Sequence, residues 1–276
     1  MKKTLLIALS LGVTVAATST LATAMDPETD RQQLVDYFQA KNPKIAVDEY
    51  VNGAYIYSAD KMQQWEAAEE FPPYLDAIDA GEAHYNKDIA TYEKCFGTDV
   101  SAIRPKYPYF DEKTQQVVTL EGAINSCRTD AGLKAYKWKK GALAQVSAYL
   151  AYNARGQKIN VKIDTDGARA AYEAGRNIYI KPTGQLNLSC AKCHTYNAGR
   201  KARSNLLSPI LGHTTHFPVF RAKWQNLGTL HRRYGGCHKN MRAKPFKAQS
   251  EEYRNLEFFE AYVSNGLKIN GPGYRE

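Results

Sequence analysis

Five residues, CAKCH at positions 190–194, constrain this chain more than any other part of its sequence. The pattern C-x-x-C-H is the attachment signature of c-type haem. Its spacing suits that role, because one helical turn brings both thiols to one edge of the porphyrin, where they form thioethers with its vinyl groups. The histidine that follows is then placed to ligate the iron. We therefore predict one covalent c-type haem, held by Cys190 and Cys193, with His194 as the proximal iron ligand.

The same five residues have two competing interpretations, a redox-active dithiol and a zinc half-site. A thioredoxin-like dithiol usually lies near a βαβ pattern, which the surrounding sequence does not show. A zinc site needs a second pair of ligands with similar spacing, and no such pair is evident. The sequence favours haem over both alternatives.

The first 24 residues have the organisation of a secretory signal peptide. Lys2 and Lys3 precede the apolar run LLIALSLGVTVAA, and residues 22–24 read ATA, a small-residue cleavage site. An uncleaved membrane anchor is the alternative, but the apolar run is short and ends in small residues. No later segment has the roughly 18 apolar residues that a bilayer-spanning helix needs. We expect an exported, soluble protein.

Charge adds a second constraint. The chain has a net charge of +9, which would suit nucleic acid, anionic lipid or an anionic substrate. Export argues against nucleic acid, and the apolar pattern argues against a membrane. An anionic substrate remains, beside the plain alternative of a soluble basic surface.

Two predicted helices accompany the CAKCH motif. Residues 166–180 are Ala-rich with a polar face, and Asp166 is the expected N-cap. The run SEEYRNLEFFEAYVSNG has Ser250 as N-cap candidate and Gly266 as the residue that ends the helix. A helix before the haem motif and a terminal aromatic helix clasp a cytochrome c domain, and Gly175 would permit their close crossing.

Three cysteines remain after the motif. In an exported protein the simplest expectation is that Cys95 and Cys127 pair, although two buried free thiols stay possible. Cys237 is then left over, which suggests a reactive thiol or intermolecular pairing. It lies in the basic stretch HRRYGGCHKNMRAKPF, whose cations would favour a thiolate and attract an anion; a solvated basic loop is the plain alternative.

The ligand on the other face of the iron is not settled by spacing. Met241 is the first choice and Cys237 the second, since haem iron accepts either beside a proximal histidine. Further candidates are His213, His216, His231 and His238. Ligation by Met241 would fit a non-catalytic electron-transfer cytochrome, which is the alternative function.

The C-terminal half resembles the SoxA family of the bacterial thiosulfate-oxidising Sox system. The resemblance spans roughly residues 160–276 and rests on GQLNLSCAKCH, GHTTHFPVFRAKWQNLGTLHRRYGGC and RAKPFKAQSEEYRNLEFFEAYVSNGLKINGPG. It implies a periplasmic L-cysteine S-thiosulfotransferase that joins thiosulfate oxidatively to a cysteine of the carrier SoxYZ. It also implies a heterodimer with the small cytochrome SoxX, and neither nucleic acid nor membrane as partner.

The resemblance assigns roles to individual residues. His194 would be the proximal ligand, Cys237 the distal ligand and catalytic cysteine persulfide, and Arg233 the substrate-binding arginine. Some family members carry a second C-x-x-C-H in the N-terminal domain, whereas here Cys95 is followed by FGTDV. The chain therefore looks like the single-haem form, in which a Cys95–Cys127 disulfide occupies the place of the lost cofactor.

Together these features predict a mainly α protein with two cytochrome c-like domains, of which only the C-terminal one carries haem. The expected boundaries are a signal peptide at 1–24, a haem-free domain with a disulfide at 25–155 and a haem domain at 156–276. We expect no strong internal repeat in the sequence, although the two halves could share a fold.

Overall fold

Helices dominate the structure, a computed structural model that describes residues 26–275. The predicted signal peptide lies outside the described residues. Across 26–275, no helix is long and apolar enough to cross a membrane.

The described residues contain nine α-helices and seven short strands. The helices are α1 (Pro27–Lys41), α2 (Ala59–Glu70), α3 (Leu75–Lys87), α4 (Ile89–Phe96), α5 (Leu120–Asp130), α6 (Ala142–Asn153), α7 (Asp166–Ile180), α8 (Leu230–Asn240) and α9 (Glu251–Val263). The strands are β1 (Tyr109–Asp111), β2 (Gln116–Val118), β3 (Lys201–Ala202), β4 (Asn205–Leu206), β5 (Val219–Arg221), β6 (Asn226–Gly228) and β7 (Gly273–Arg275). β1 pairs with β2, β3 with β4, and β5 lies between antiparallel β6 and parallel β7.

Two copies of one arrangement make up most of the chain. The first copy runs from α3 to α6; α3 crosses α6, and the β1–β2 hairpin leads directly into α5. The second copy runs from α7 to α9; α7 crosses α9, and the β5–β6 hairpin leads into α8. From the hairpin onward, equivalent positions are 110 residues apart. Identical residues at this spacing include the pairs Pro108 and Pro218, Thr119 and Thr229, and Cys127 and Cys237.

The two halves therefore share a fold, as we expected they could, although their sequence similarity is weak. The repeat is hard to detect because the shared residues are scattered through YPYFDEKTQQVVTLEGAINSC and FPVFRAKWQNLGTLHRRYGGC. Several of the shared residues have the same role in the backbone conformation of both copies. Gln115 and Gln225 share a positive φ (53° and 47°) at the turn of their hairpins. Thr119 and Thr229 both precede a helix as its N-cap residue.

A glycine sets the helix crossing in each copy. A Cβ on Gly175 of α7 would lie 2.0 Å from the Asn255 carbonyl oxygen of α9. A Cβ on Gly81 of α3 would lie 2.1 Å from the Gln145 carbonyl oxygen of α6. Both distances are far inside van der Waals contact, so each pair of helices touches backbone to backbone. The close crossing expected at Gly175 is thus present twice.

The ends of the two clasping helices differ slightly from the sequence expectation. Asp166 is the first residue of α7 and not its cap, because the hydroxyl of Thr165 accepts the hydrogen bond from the Ala168 amide. Ser250 does precede α9, but its side chain makes no capping hydrogen bond. Gly266 has a φ of 86° shortly after α9, a left-handed conformation that favours glycine.

The two copies hold each other through reciprocal contacts at equivalent positions. The amide of Thr229 in the second copy donates to the Lys139 carbonyl of the first, at 3.1 Å. The hydroxyl of Thr119 in the first copy contacts the side-chain oxygen of Gln249 in the second, at 2.8 Å. Each helix start is therefore anchored to a loop of the opposite copy.

The chain also pairs with itself where the copies end. An isolated antiparallel bridge joins Lys158 to Lys268, which are equivalent positions of the two copies. A bridge between equivalent residues places a local two-fold axis between them.

Charged side chains are buried between the two copies. Arg104 is 6% exposed and donates to the carbonyl of Thr214 in the second copy, at 3.0 Å. Burial, and then the neighbouring Glu257 carboxylate, raise the pKa of Glu121. Burial lowers the pKa of Arg104, and both glutamates act in the opposite direction. This polar cluster lies inside the interface where most folds place apolar groups.

Cys95 and Cys127 form a disulfide in the structure, with their Cα atoms 6.1 Å apart. The bond ties α4 to α5 in the first copy. Cys127 occupies the position that Cys237 has in the second copy, so the two copies use one equivalent cysteine differently.

Candidate haem and thiol site

The CAKCH motif is folded onto the end of a short helical segment in the second copy. The Ser189 hydroxyl accepts a hydrogen bond from the Lys192 amide at 3.0 Å, and residues 192–196 form a single wide π-helical turn. Cys190 and Cys193 are both half-buried free thiols. The motif therefore presents its two sulfurs without bonding them to each other.

Cys237 reaches the motif from α8. Burial raises the pKa of Cys190, followed by the charges of Glu260 and Cys237. Burial also raises the pKa of Cys193, and Cys237 adds to that rise. Cys237 is therefore close enough for its charge to act on both motif thiols, although it is 44 residues from Cys193 in the sequence. Sequence reasoning alone did not establish that Cys237 approaches the motif.

His194 is oriented by the segment that follows the motif. Its Nδ1 lies 2.9 Å from the Ser208 carbonyl oxygen, which accepts the ring N–H. The Ile210 amide donates to the His194 carbonyl at 2.9 Å, which holds the same segment in place. Burial lowers the pKa of His194 and so favours the neutral imidazole. With Nδ1 engaged, Nε2 is the nitrogen available to a metal.

These residues fit a c-type haem. Cys190 and Cys193 are free, whereas Cys95 and Cys127 of the same chain form a disulfide, so both motif sulfurs are available for thioether attachment. Within 26–275, no group of three or more His, Cys, Asp or Glu side chains is arranged to hold a bare metal ion. A porphyrin iron, which needs only axial protein ligands, suits this donor set better than zinc.

Arginines converge on the Cys237 side of the site. Arg233 lies one helical turn before Cys237 on α8, and its Nη1 is 4.0 Å from where a Cβ on Gly236 would be. Burial lowers the pKa of Arg221 to about 10; the charge of Arg233 adds to this, and Cys237 opposes it. Arg221 on β5 thus lies near both. Sequence analysis missed it, because it is distant from Cys237 along the chain.

The other cations of the basic stretch have different surroundings. Arg232 stacks on the Trp224 ring at 4.1 Å and donates to the Leu227 carbonyl at 3.0 Å. Lys239 and Arg242 are exposed. The basic stretch therefore divides into arginines at the thiol and cations on the surface.

The alternative axial ligands have partners of their own. Met241 is buried at the end of α8, where its carbonyl accepts the Leu186 amide at 3.4 Å. His213 lies on the Nδ1 side of His194, which is not the side that faces a metal. His238 donates from Nδ1 to the Tyr234 carbonyl. Two further pairs are His231 with Glu257 at 3.1 Å and His216 with Phe217, whose rings are tilted with centroids 5.1 Å apart.

A buried carboxylate, Glu260 of α9, was also missed. It is 2% exposed and accepts a hydrogen bond from the Tyr234 hydroxyl at 2.7 Å. Its charge acts on His194, His213 and Cys190. The available signal was a glutamate inside the aromatic run EFFEAYV, where a carboxylate is expected to be paired.

Three comparisons place the chain among known proteins. The family SoxA/TsdA, cytochrome c domain, matches residues 80–159 and 174–269. These two segments correspond to the two structural copies. The chain is 48% identical over 287 residues to the L-cysteine S-thiosulfotransferase subunit SoxA of Chlorobaculum tepidum, covering 100% of both chains. It is 46% identical over 259 residues to the SoxA subunit of Allochromatium vinosum, covering 92% of both.

A solved structure agrees. The crystal structure of SoxXA from P. pantotrophus has a chain that matches with a TM-score of 0.70 and 29% identity. The match covers 78% of this chain and 84% of that chain. The expected fold class, mainly α and cytochrome c-like, is confirmed, as is the resemblance drawn from the sequence. The chain therefore belongs to the SoxA/TsdA cytochrome c family, as a close relative of the SoxA subunits of L-cysteine S-thiosulfotransferase.

Proposed function

We propose that this chain catalyses the oxidative conjugation of thiosulfate to a cysteine of the carrier protein SoxYZ, with Cys237 as the reacting sulfur. One observation carries the proposal: a free, half-buried thiol lies beside a C-x-x-C-H motif and near two arginines. The names of the relatives supply the class of reaction.

Arg233 would hold the substrate. Thiosulfate is a small dianion, and a planar guanidinium can donate two parallel hydrogen bonds to its sulfonate oxygens. Arg221 would add a second positive charge near Cys237. The pair would concentrate the anion beside the sulfur of Cys237.

The proposed conjugation proceeds in two steps at Cys237, an oxidation that bonds thiosulfate to the sulfur and a transfer to the carrier. The outer sulfur of thiosulfate bonds to the Cys237 sulfur, present as thiolate or persulfide anion, and two electrons leave. The carrier thiolate then attacks that outer sulfur, the bond to Cys237 breaks, and the electron pair returns to the Cys237 sulfur. A haem held by Cys190, Cys193 and His194 would accept these two electrons one at a time, passing each to the partner cytochrome SoxX. The role of Arg233 is to hold the sulfonate in line while both bonds change.

The remaining assignments complete the proposal. Cys190 and Cys193 would attach a single haem, with His194 as proximal and Cys237 as distal ligand. The haem would belong to the second domain, residues 156–276, and residues 25–155 would be a haem-free domain. Cleavage after residue 24 would deliver the chain to the periplasm. SoxX would be its heterodimer partner, in keeping with the name of the solved relative, SoxXA from P. pantotrophus.

A pair of variants tests the proposal against the electron-transfer alternative. We expect Cys237→Ala to lose at least a thousandfold in conjugation rate, measured as the mass increase of the carrier, while it retains covalent haem. Met241→Leu, the matched change one helical turn later, should keep both the rate and the low-spin optical spectrum.

Opposite outcomes would be decisive. Full transferase activity in Cys237→Ala would end the proposal, and loss of an axial ligand in Met241→Leu would favour a simple electron carrier. Intact mass spectrometry of the mature protein should show one haem, one disulfide and any sulfur added to Cys237.

A further inference from the structure

A line of polar groups runs through the buried side of the site, behind His194. Glu260 of α9 is 2% exposed, and its Oε1 lies 3.4 Å from Nδ1 of His213. The Nε2 atom of His213 lies 3.1 Å from Nδ1 of His194. The two histidine rings meet edge to face with centroids 4.4 Å apart. The carboxylate of Glu260 is thus connected through the imidazole of His213 to the imidazole of His194.

The loop that carries His213 is fixed at several points. The His213 amide donates to the Ile210 carbonyl at 3.0 Å. The Gly212 amide donates to the Ser264 hydroxyl at 3.1 Å, and that hydroxyl donates to the Glu260 carbonyl at 2.9 Å. Gly212 has a φ of 79°, and a Cβ there would lie 2.5 Å from the Tyr50 carbonyl oxygen. The loop is therefore tied to the helix that bears Glu260.

Acceptors from two residues compete for one proton. The Nδ1–H of His194 faces the Ser208 carbonyl oxygen at 2.9 Å, the Ser208 hydroxyl oxygen at 3.3 Å and His213 Nε2 at 3.1 Å. The Ser208 hydroxyl also lies 3.0 Å from His213 Nε2. When His213 Nδ1–H points to Glu260, Nε2 carries a lone pair and can accept from His194.

The other copy of the repeat provides a natural control. The positions 110 residues before His213, Tyr234 and Glu260 are Ile103, Ile124 and Leu150. These are at most 1% exposed and belong to one apolar core cluster. Burying polar groups in place of such side chains costs stability. The polar trio is present only in the copy that has the C-x-x-C-H motif.

We propose that Glu260 and His213 are positioning residues that share the Nδ1 proton of His194 and so lower the reduction potential of the haem it ligates. A hydrogen bond that draws on Nδ1–H makes the ligating nitrogen a stronger donor, which favours the oxidised iron. The inference rests on His194 as haem ligand in the proposed function, and it is independent of any role for Cys237.

The test is a potentiometric titration of the haem-loaded protein without thiosulfate. At a fixed applied potential, His213→Leu and Glu260→Gln should each raise the ratio of reduced to oxidised haem about tenfold, or about 59 mV for one electron. His213→Gln keeps an acceptor and a donor, so it should restore part of the shift. His216→Leu removes a buried histidine three residues later and should leave the ratio unchanged.

Each outcome has a clear meaning. A ratio within twofold of the parent in His213→Leu would overturn the inference and leave Ser208 as the residue that holds the Nδ1 proton. If His213→Leu does not load haem, Glu260→Gln decides, because it keeps the shape of the side chain. An unchanged rate of conjugation in Cys237→Ala would refute the proposed function without touching this result.

Discussion

The two copies of the repeat share their backbone devices and differ in their chemistry. Both have a glycine at the helix crossing and a threonine before the helix that follows the hairpin. One copy then seals its equivalent cysteine, Cys127, in a disulfide, and the other leaves Cys237 free. The residues that define the fold are therefore separable from those that define the site.

The disulfide of the first copy is the difference between the copies whose removal we expect to have the largest effect. Closing a loop with a sequence separation of 32 residues stabilises a protein by about 3.7 kcal/mol in the chain-entropy model. We expect the double variant Cys95→Ala/Cys127→Ala to lose about this much free energy of unfolding in urea. Conjugation per folded molecule should persist. Loss of activity at full folding would mean that the first copy takes part in the chemistry.

The crossing glycines test whether the copies are equivalent as scaffolds. Gly175→Ala and Gly81→Ala should each cost about 3 kcal/mol in thermal or urea unfolding, since the new methyl meets backbone. The haem spectrum should change only in Gly175→Ala. Gly235→Ala is the control, because its Cβ would have no neighbour closer than 3.9 Å. Equal spectral changes in both variants would contradict the separation of the copies.

Arg233 has Ala123 as its counterpart in the first copy, so it belongs to the site and not to the scaffold. Loss of a charge-assisted hydrogen bond predicts a fall in conjugation rate of about 10- to 100-fold for Arg233→Ala. Its free energy of unfolding should change by less than about 0.5 kcal/mol. Lys239→Ala, an exposed cation on the same helix, should change neither quantity. A similar fall in conjugation rate in Lys239→Ala would mean that both variants act through the net charge of the helix and not through a specific contact of Arg233.

Glu121 lies in the polar cluster buried between the two copies, and its counterpart in the second copy is His231. The pH dependence of stability tests this difference between the copies. A carboxyl whose pKa is raised by folding stabilises the fold below its unfolded pKa and loses that contribution as the pH rises through the folded pKa. Glu121→Gln should therefore gain about 1 kcal/mol at pH 8 and nothing near pH 4. The exposed control Glu66→Gln should show no such slope. A pH-independent gain would exclude the raised pKa as its cause.

Local chemistry was predictable from the sequence wherever it follows from short spacing. The CAKCH motif and the α7 and α9 helices were recognised because their residues are close together in the chain. The role of Thr165 as cap escaped because two adjacent residues were both good candidates.

Relations across the fold could not be found in that way. Arg221 and Cys237 approach only after the hairpin and α8 fold together, and no periodicity encodes that approach. Glu260 was hidden because an aromatic helix with interspersed carboxylates also fits an amphipathic surface helix. The repeat at a spacing of 110 residues was detectable, since it preserves Pro, Thr and Cys in register, but it is longer than the periods of common solenoid repeats.

The bridge between Lys158 and Lys268 has a further consequence. A contact between a residue and its own equivalent is what the interface of a symmetric homodimer provides. This molecule is arranged like two such subunits carried on one chain. Joining them also lets the two subunits differ, so that one copy closes its cysteine in a disulfide while the other keeps its cysteine free.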